Sequence, residues 1–270
     1  LREFFGDSVK AFPEFDLFFQ PGAGGEMSSG LSALVEYQRT VGALFAVYWL
    51  LRLDIDGKQG FSYGCDERWN SLTEPQGHDS AKRAAFFSKM DWKVVEDMVA
   101  LSVGKDVARI EAMLCLTAFH DVMKVSSLCP TVSPAHAPFG DYKAGEVVSD
   151  HDLALAYVLE HYPHLMPSFA LLPESLRQVV LFTQHKMQFN HGWFVQAEGP
   201  PGALVSALKR VMASANEGDL AFYFFHWVTD LSGAEGTPLG GAEKFALKFP
   251  SAVLSSFLWS VPYLQRLTAE

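Results

Sequence analysis

Apolar positions recur along most of this chain at three- and four-residue intervals, the spacing that lines one face of an α-helix. Gly30 to Asp54 reads as one long, strongly apolar helix, and Trp92 to Val103 and Val107 to Met123 as two more. Ser149-Asp150-His151-Asp152 opens another that runs to about His161, with Ser149 or Asp150 as a natural N-cap and carboxylates in the first turn. Pro163 and Pro167 end that segment, and Pro173-Glu174 starts a helix through Leu176, Val179, Val180 and Phe182 to about Gln188. Gly199-Pro200-Pro201-Gly202 is a hard break, after which Ala203 to Ala215, Asp219 to Leu231 and Ser251 to Leu267 supply three more helices. No strand-like alternation persists beyond a few residues, and there is no internal repeat. The stretch from Ser126 to Val147, with Pro130, Pro134, Pro138 and Gly140, is irregular; such a loop inside a domain is usually functional or mobile. The pattern predicts an all-α fold. Residues 1–80 are loop-rich at 1–29 and 55–80, with room for short strands, and form an N-terminal embellishment. It makes one unit with a helical domain over 81–270.

Composition narrows the class. The 270 residues are 49% hydrophobic and include 22 Phe, enough for a buried core and too apolar for disorder. The net charge of −10, with no Lys/Arg cluster, argues against polymeric nucleic acid as a partner but leaves room for a single nucleotide held through a metal. Cys65, Cys115 and Cys129 are widely spaced with no CxxC pair. They read as reduced thiols of an intracellular protein, with the cytoplasm as the expected location. The longest uncharged apolar run, Thr40 to Leu51 between Arg39 and Arg52, is too short to span a bilayer. Arg2, Glu3, Asp7 and Lys10 interrupt any signal peptide at the start, and a chain beginning at Leu1 reads as a segment of a longer protein.

The candidate chemistry starts from His120-Asp121, at the end of the apolar run Ala112 to Phe119. Neighbouring side chains on a helix point about 100° apart, but at a helix end both can turn toward one metal ion. A neutral imidazole with a carboxylate suits a hydrated divalent metal. Three further metal-competent residues follow in apolar helical settings: His151 at a helix start, His185 within a helix, and Asp230 near a helix end. Buried polar side chains need partners, and a shared metal would satisfy all of them. His226 precedes Asp230 by one turn on the same helix face, as an alternative ligand to His185 or as the partner that orients one.

This order resembles the HD-domain superfamily of metal-dependent phosphohydrolases. His120-Asp121-Val122-Met123-Lys124 looks like that family's HD-x-x-K element. His151 and His185 look like the next two ligand positions of its two-metal branch. Val228-Thr229-Asp230-Leu231-Ser232-Gly233-Ala234 resembles the setting of its final Asp. The likeness covers roughly Trp92 to Glu235 and implies an HD-like helical bundle with additional N- and C-terminal helices. One departure stands out: the family's first His, expected 20–30 residues before the pair, is absent, and Glu96 occupies that window on a helix with Asp97 beside it. A carboxylate there would favour Fe, Mn or Mg over Zn.

The resemblance implies one or two divalent ions held by His120, Asp121, His151, His185, Asp230 and Glu96. The activity it implies is hydrolysis of a phosphoester on a nucleotide or small phosphorylated metabolite, by metal-activated water. Asp121 would bridge the ions and Lys124 pair with a phosphate oxygen. Lys186 and Gln188 would contact substrate, and His191 would protonate a leaving oxygen. The same ligand set serves the superfamily's mixed-valent di-iron oxygenases, which cleave small organic substrates. A scaffold with an incomplete metal site, and no catalysis, is the third reading.

Overall fold

The computed structural model describes residues 10–20, 27–57, 91–186 and 215–233, with positions 7, 88, 206, 209–212, 256, 259–264 and 266. The described residues are all-α. The only β pairings among them are two isolated bridges, Thr131 with Val147 and Phe139 with Tyr142. No described helix is long and apolar enough to cross a membrane.

Six helices frame the site: α1 Ala33–Leu51, α2 Trp92–Ser102, α3 Val107–Phe119, α4 His151–His161, α5 Glu174–Leu181 and α6 Glu217–Gly233. Four of them start where a short polar side chain accepts from free backbone N–H groups. Ser32 accepts from Val35, Asp91 from Val94, Asp106 from Ala108 and Arg109, and Asp150 from Leu153. A seven-residue 3-10 helix, Pro13–Phe19, precedes α1 and buries Phe15 and Phe18.

Among the described helices, α6 is the central one. It lies along α1 and α2 and touches α3, and α1 in turn packs on α3. Phe222, Phe224 and Phe225 of α6, Phe119 of α3 and Tyr157 of α4 are fully buried in one continuous core. Each such aromatic contributes roughly 1.5–3 kcal/mol by leaving water. Arg109 fastens the start of α3 to both neighbours, donating to the carbonyls of Ser102 at 2.5 Å and Gly218 at 3.1 Å. α1 thus belongs to the core, although it falls within the stretch expected to embellish it.

The 126–147 stretch is anchored rather than loose. Val132, Phe139 and Val148 are buried, and the Tyr157 hydroxyl accepts from the Ser133 N–H at 2.8 Å. Proline and short 3-10 turns shape it because its backbone pairs with itself, Val132 N–H to Glu146 and Val148 N–H to Pro130.

α1 and α6 cross closely at Gly233. A Cβ placed on Gly233 would stand 2.3 Å from the Arg39 carbonyl oxygen and 2.6 Å from the Ala43 nitrogen, both backbone atoms that cannot swing aside. Gly233→Ala is expected to push α1 from α6 and cost about 1–3 kcal/mol, the usual range for overpacking a filled core. Urea denaturation checks this; an unchanged midpoint would show that the helices part without strain.

Candidate functional site

Three chain segments converge on one spot. α3 ends at Phe119; the His120 N–H still bonds to the Leu116 carbonyl, while Asp121, at φ −100° and ψ 0°, leaves helical geometry for a 3-10 turn over Val122–Lys124. This break lets the adjacent His120 and Asp121 side chains face the same place. α6 brings Asp230 and His226 one turn apart, and the start of α4 brings His151.

The geometry is tight. His120 Nε2 lies 3.1 Å from Asp230 Oδ1 and 3.4 Å from Asp121 Oδ2. His120 Nδ1 is 2.8 Å from the Thr117 carbonyl oxygen, which can only accept, so Nδ1 carries a proton. The remaining nitrogen of a neutral ring would then aim a lone pair at two carboxylates. A positive charge must sit there, either a second proton on His120 or a cation between the three groups. Burial alone would lower the imidazole pKa, but Asp121 and Asp230 outweigh it and push it up to about 9. His120 in turn holds the Asp230 carboxyl below the usual carboxylate range, against the effect of burial.

The same groups could hold a divalent ion. Neighbouring ligands on an octahedral ion with bonds near 2.1 Å stand about 3.0 Å apart, close to the 3.1 and 3.4 Å from His120 Nε2 to Asp230 Oδ1 and Asp121 Oδ2. One atom each of His120, Asp121 and Asp230 fall within 4.8 Å of one another, and so do one each of Asp150, His151 and Asp152. Asp121 links the groups, with Oδ1 3.9 Å from His151 Nε2, which is 3.7 Å from Asp152 Oδ1. Burial and the neighbouring Asp150 and Asp121 raise the Asp152 pKa, against the opposing pull of His151 and of the Gln184 amide that donates to it.

The back wall is ionic. Lys124 Nζ lies 2.7 Å from Asp121 Oδ2 and 3.3 Å from Glu36 Oε2 on α1. Burial would lower its pKa, but Asp121, Glu36 and Asp230 together raise it, so the ammonium stays charged. His226 stands edge-on to His120 with ring centres 5.0 Å apart, and its buried Nδ1 has no hydrogen-bond partner. Burial and the adjacent His120 lower its pKa to about 3, so it is neutral.

The structure therefore brings together His120, Asp121, Asp230 and, at slightly longer range, His151. The other expected ligands lie elsewhere. Glu96 is exposed on α2, whose inward face is Val95, Met98 and Val99. His185 turns away to Glu160, Nδ1 to Oε2 3.4 Å, and packs beside Phe139. The reason is local: after α5 the chain forms a π-turn over Phe182–Lys186, and its wider coil sends Gln184 to Asp152 and His185 outward. Lys124 is enclosed by carboxylates rather than open to a substrate. The Lys186 side chain, Gln188 and His191 lie outside the described residues. Glu36 was missed, although a carboxylate three positions before Arg39 in an apolar run is a visible signal. Asp150 and Asp152 were read as helix-start residues alone.

Neither described thiol is poised for nucleophilic chemistry. Burial pushes Cys115 up to about 12, and burial likewise raises Cys129. Compared with known proteins, the chain matches no family model, no curated protein and no solved structure.

His226 makes a pH prediction for the protein kept in a chelator. Its folded pKa lies below the unfolded value of about 6.5, so its contribution to stability is complete above pH 6.5 and is lost as pH falls toward 3. Between pH 6 and 4.5 the native chain should lose about 1.4 kcal/mol more per pH unit than His226→Phe. Denaturant unfolding at stepped pH reads the two slopes. Parallel slopes would mean that His226 takes up its proton in the folded protein.

Proposed function

We propose that this chain is an HD-like, metal-dependent phosphohydrolase acting on a phosphoester of a nucleotide or a small phosphorylated metabolite. The observation that carries the reading is His120 Nε2, deprived of a proton donor's role by the Thr117 bond on its far nitrogen unless charged, and facing Asp121 and Asp230 oxygens at 3.4 and 3.1 Å. An imidazole and two carboxylates so arranged favour a borderline-to-hard divalent ion such as Mn or Fe. His120, Asp121 and Asp230 would hold one ion; Asp150, His151 and Asp152 would form the candidate site for a second, with Asp121 Oδ1 3.9 Å from His151 Nε2. A divalent ion there supplies Lewis-acid polarisation of a phosphoryl oxygen and lowers the pKa of water.

The chain's own groups support that chemistry in distinct ways. Thr117 fixes the His120 tautomer, the role played by partners of metal-binding imidazoles generally. Lys124 offsets part of the negative charge behind Asp121. The open side carries Asp150, Asp152 and Asp230, and these carboxylates repel a phosphate unless a cation is present. The site so built discriminates against anionic substrates in the metal-free state. His151, 32% exposed, stands at the mouth, where it can contact a phosphate oxygen or exchange a proton with a leaving group.

The test is metal analysis followed by turnover of a panel of nucleoside and sugar phosphates. The native chain should bind Mn or Fe stoichiometrically and release phosphate. Asp121→Ala should reduce turnover by more than about 100-fold, beyond the 10–100-fold typical of a lost supporting partner. Oxygen consumption by a bound di-iron centre, without phosphate release, would replace the hydrolase with an oxygenase. No stoichiometric metal in the native chain would leave a scaffold.

A further inference from the structure

Glu36, a carboxylate with 0% exposure, sits on α1, far in sequence from His120, Asp121 and Asp230. Both its oxygens are engaged. Oε1 accepts from the Ser29 hydroxyl at 2.6 Å and from Arg39 Nη1 at 3.1 Å, and Oε2 faces Lys124 Nζ at 3.3 Å. Lys124 continues the chain to Asp121 Oδ2 at 2.7 Å. The result is a line of alternating charges, Arg39, Glu36, Lys124 and Asp121, running from half-buried α1 to the site.

Such a line restricts motion more than a single ion pair does. A lysine on four methylenes ordinarily samples many rotamers. Here the ammonium is held between two carboxylates from different helical segments, and leaving either would strand a charge in the core. Asp121 inherits that constraint: Oδ2 stays on the Lys124 and His120 side and Oδ1 faces His151. We infer that Glu36 is a positioning residue, which acts through Lys124 to fix the plane of the Asp121 carboxylate for a divalent ion. The inference rests on the reading of His120, Asp121 and Asp230 as a metal centre. It also gives α1 a task at the site beyond packing.

The probe is Mn²⁺ alone, followed by titration calorimetry and by the electron paramagnetic resonance of the bound ion. Glu36→Gln removes the anchor's charge and leaves Lys124 with Asp121 alone. It should weaken Mn²⁺ binding at least fivefold in the native chain, but less than twofold where Lys124 is already Met. An equal loss in both backgrounds would show that Glu36 acts as a general charge or a packing residue, and would overturn the inference; so would no loss in either. If Glu36→Gln does not fold, Lys124→Met decides, since Glu36 keeps Ser29 and Arg39 there. Its bound Mn²⁺ spectrum should broaden relative to the native chain, and an unchanged spectrum overturns the tether. A native chain that binds Mn²⁺ with neither variant altered sinks the tether alone; a native chain that binds none sinks the metal centre with it.

Discussion

A buried imidazole and carboxylate, His120 and Asp121, cannot stand against the half-exposed carboxylate of Asp230 without positive charge among them, and the elements around them are arranged to meet that requirement. The His120 and Asp121 side chains are only 6% and 5% exposed. In such surroundings charges interact far more strongly than in bulk water. Lys124 supplies one positive charge from behind. The remaining demand falls on His120 Nε2, where a proton or a metal ion answers it. The helix end after Phe119, the close α1–α6 crossing at Gly233 and the capped start of α4 each place one participant.

The helical fold was largely legible because its signal is periodic burial, which a single chain displays. α2, α4 and α6 lie where the apolar spacing puts them, and Asp150 caps α4 as its position suggests. α3 starts at Val107 as expected but ends at Phe119 rather than Met123, because the chain turns into a 3-10 coil over Val122–Lys124. α1 is shorter than the apolar run, since Arg52 breaks the helix before a last turn at Leu53–Asp56. The centre of the site was also legible. A His-Asp pair can converge only at a helix end, and an Asp amid Phe, Trp and Leu on α6 needs a buried partner.

What escaped was register and long-range charge pairing. His185 belongs to an apolar helical pattern, but one extra residue in the coil over Phe182–Lys186 turns it to Glu160. A π-turn leaves no periodic mark in a sequence. Glu96 has the right distance from His120 along the chain, yet burial on α2 is decided by Val95, Met98 and Val99, which turn it outward. Glu36 lies 88 positions from Lys124, and only the folded chain reveals which of many possible cations a buried carboxylate meets.

The uneven exposure of the three central side chains has a consequence for traffic. Asp230 is 40% exposed, whereas His120 and Asp121 are sealed behind it by Lys124, Glu36 and His226. Among the described residues, exposure at the cluster rises from Asp121 and His120 toward His151 and Asp230, at 32% and 40%. A cation arriving from that side would meet two groups still partly hydrated before it reached the pair that is not, so water could be shed in stages rather than all at once.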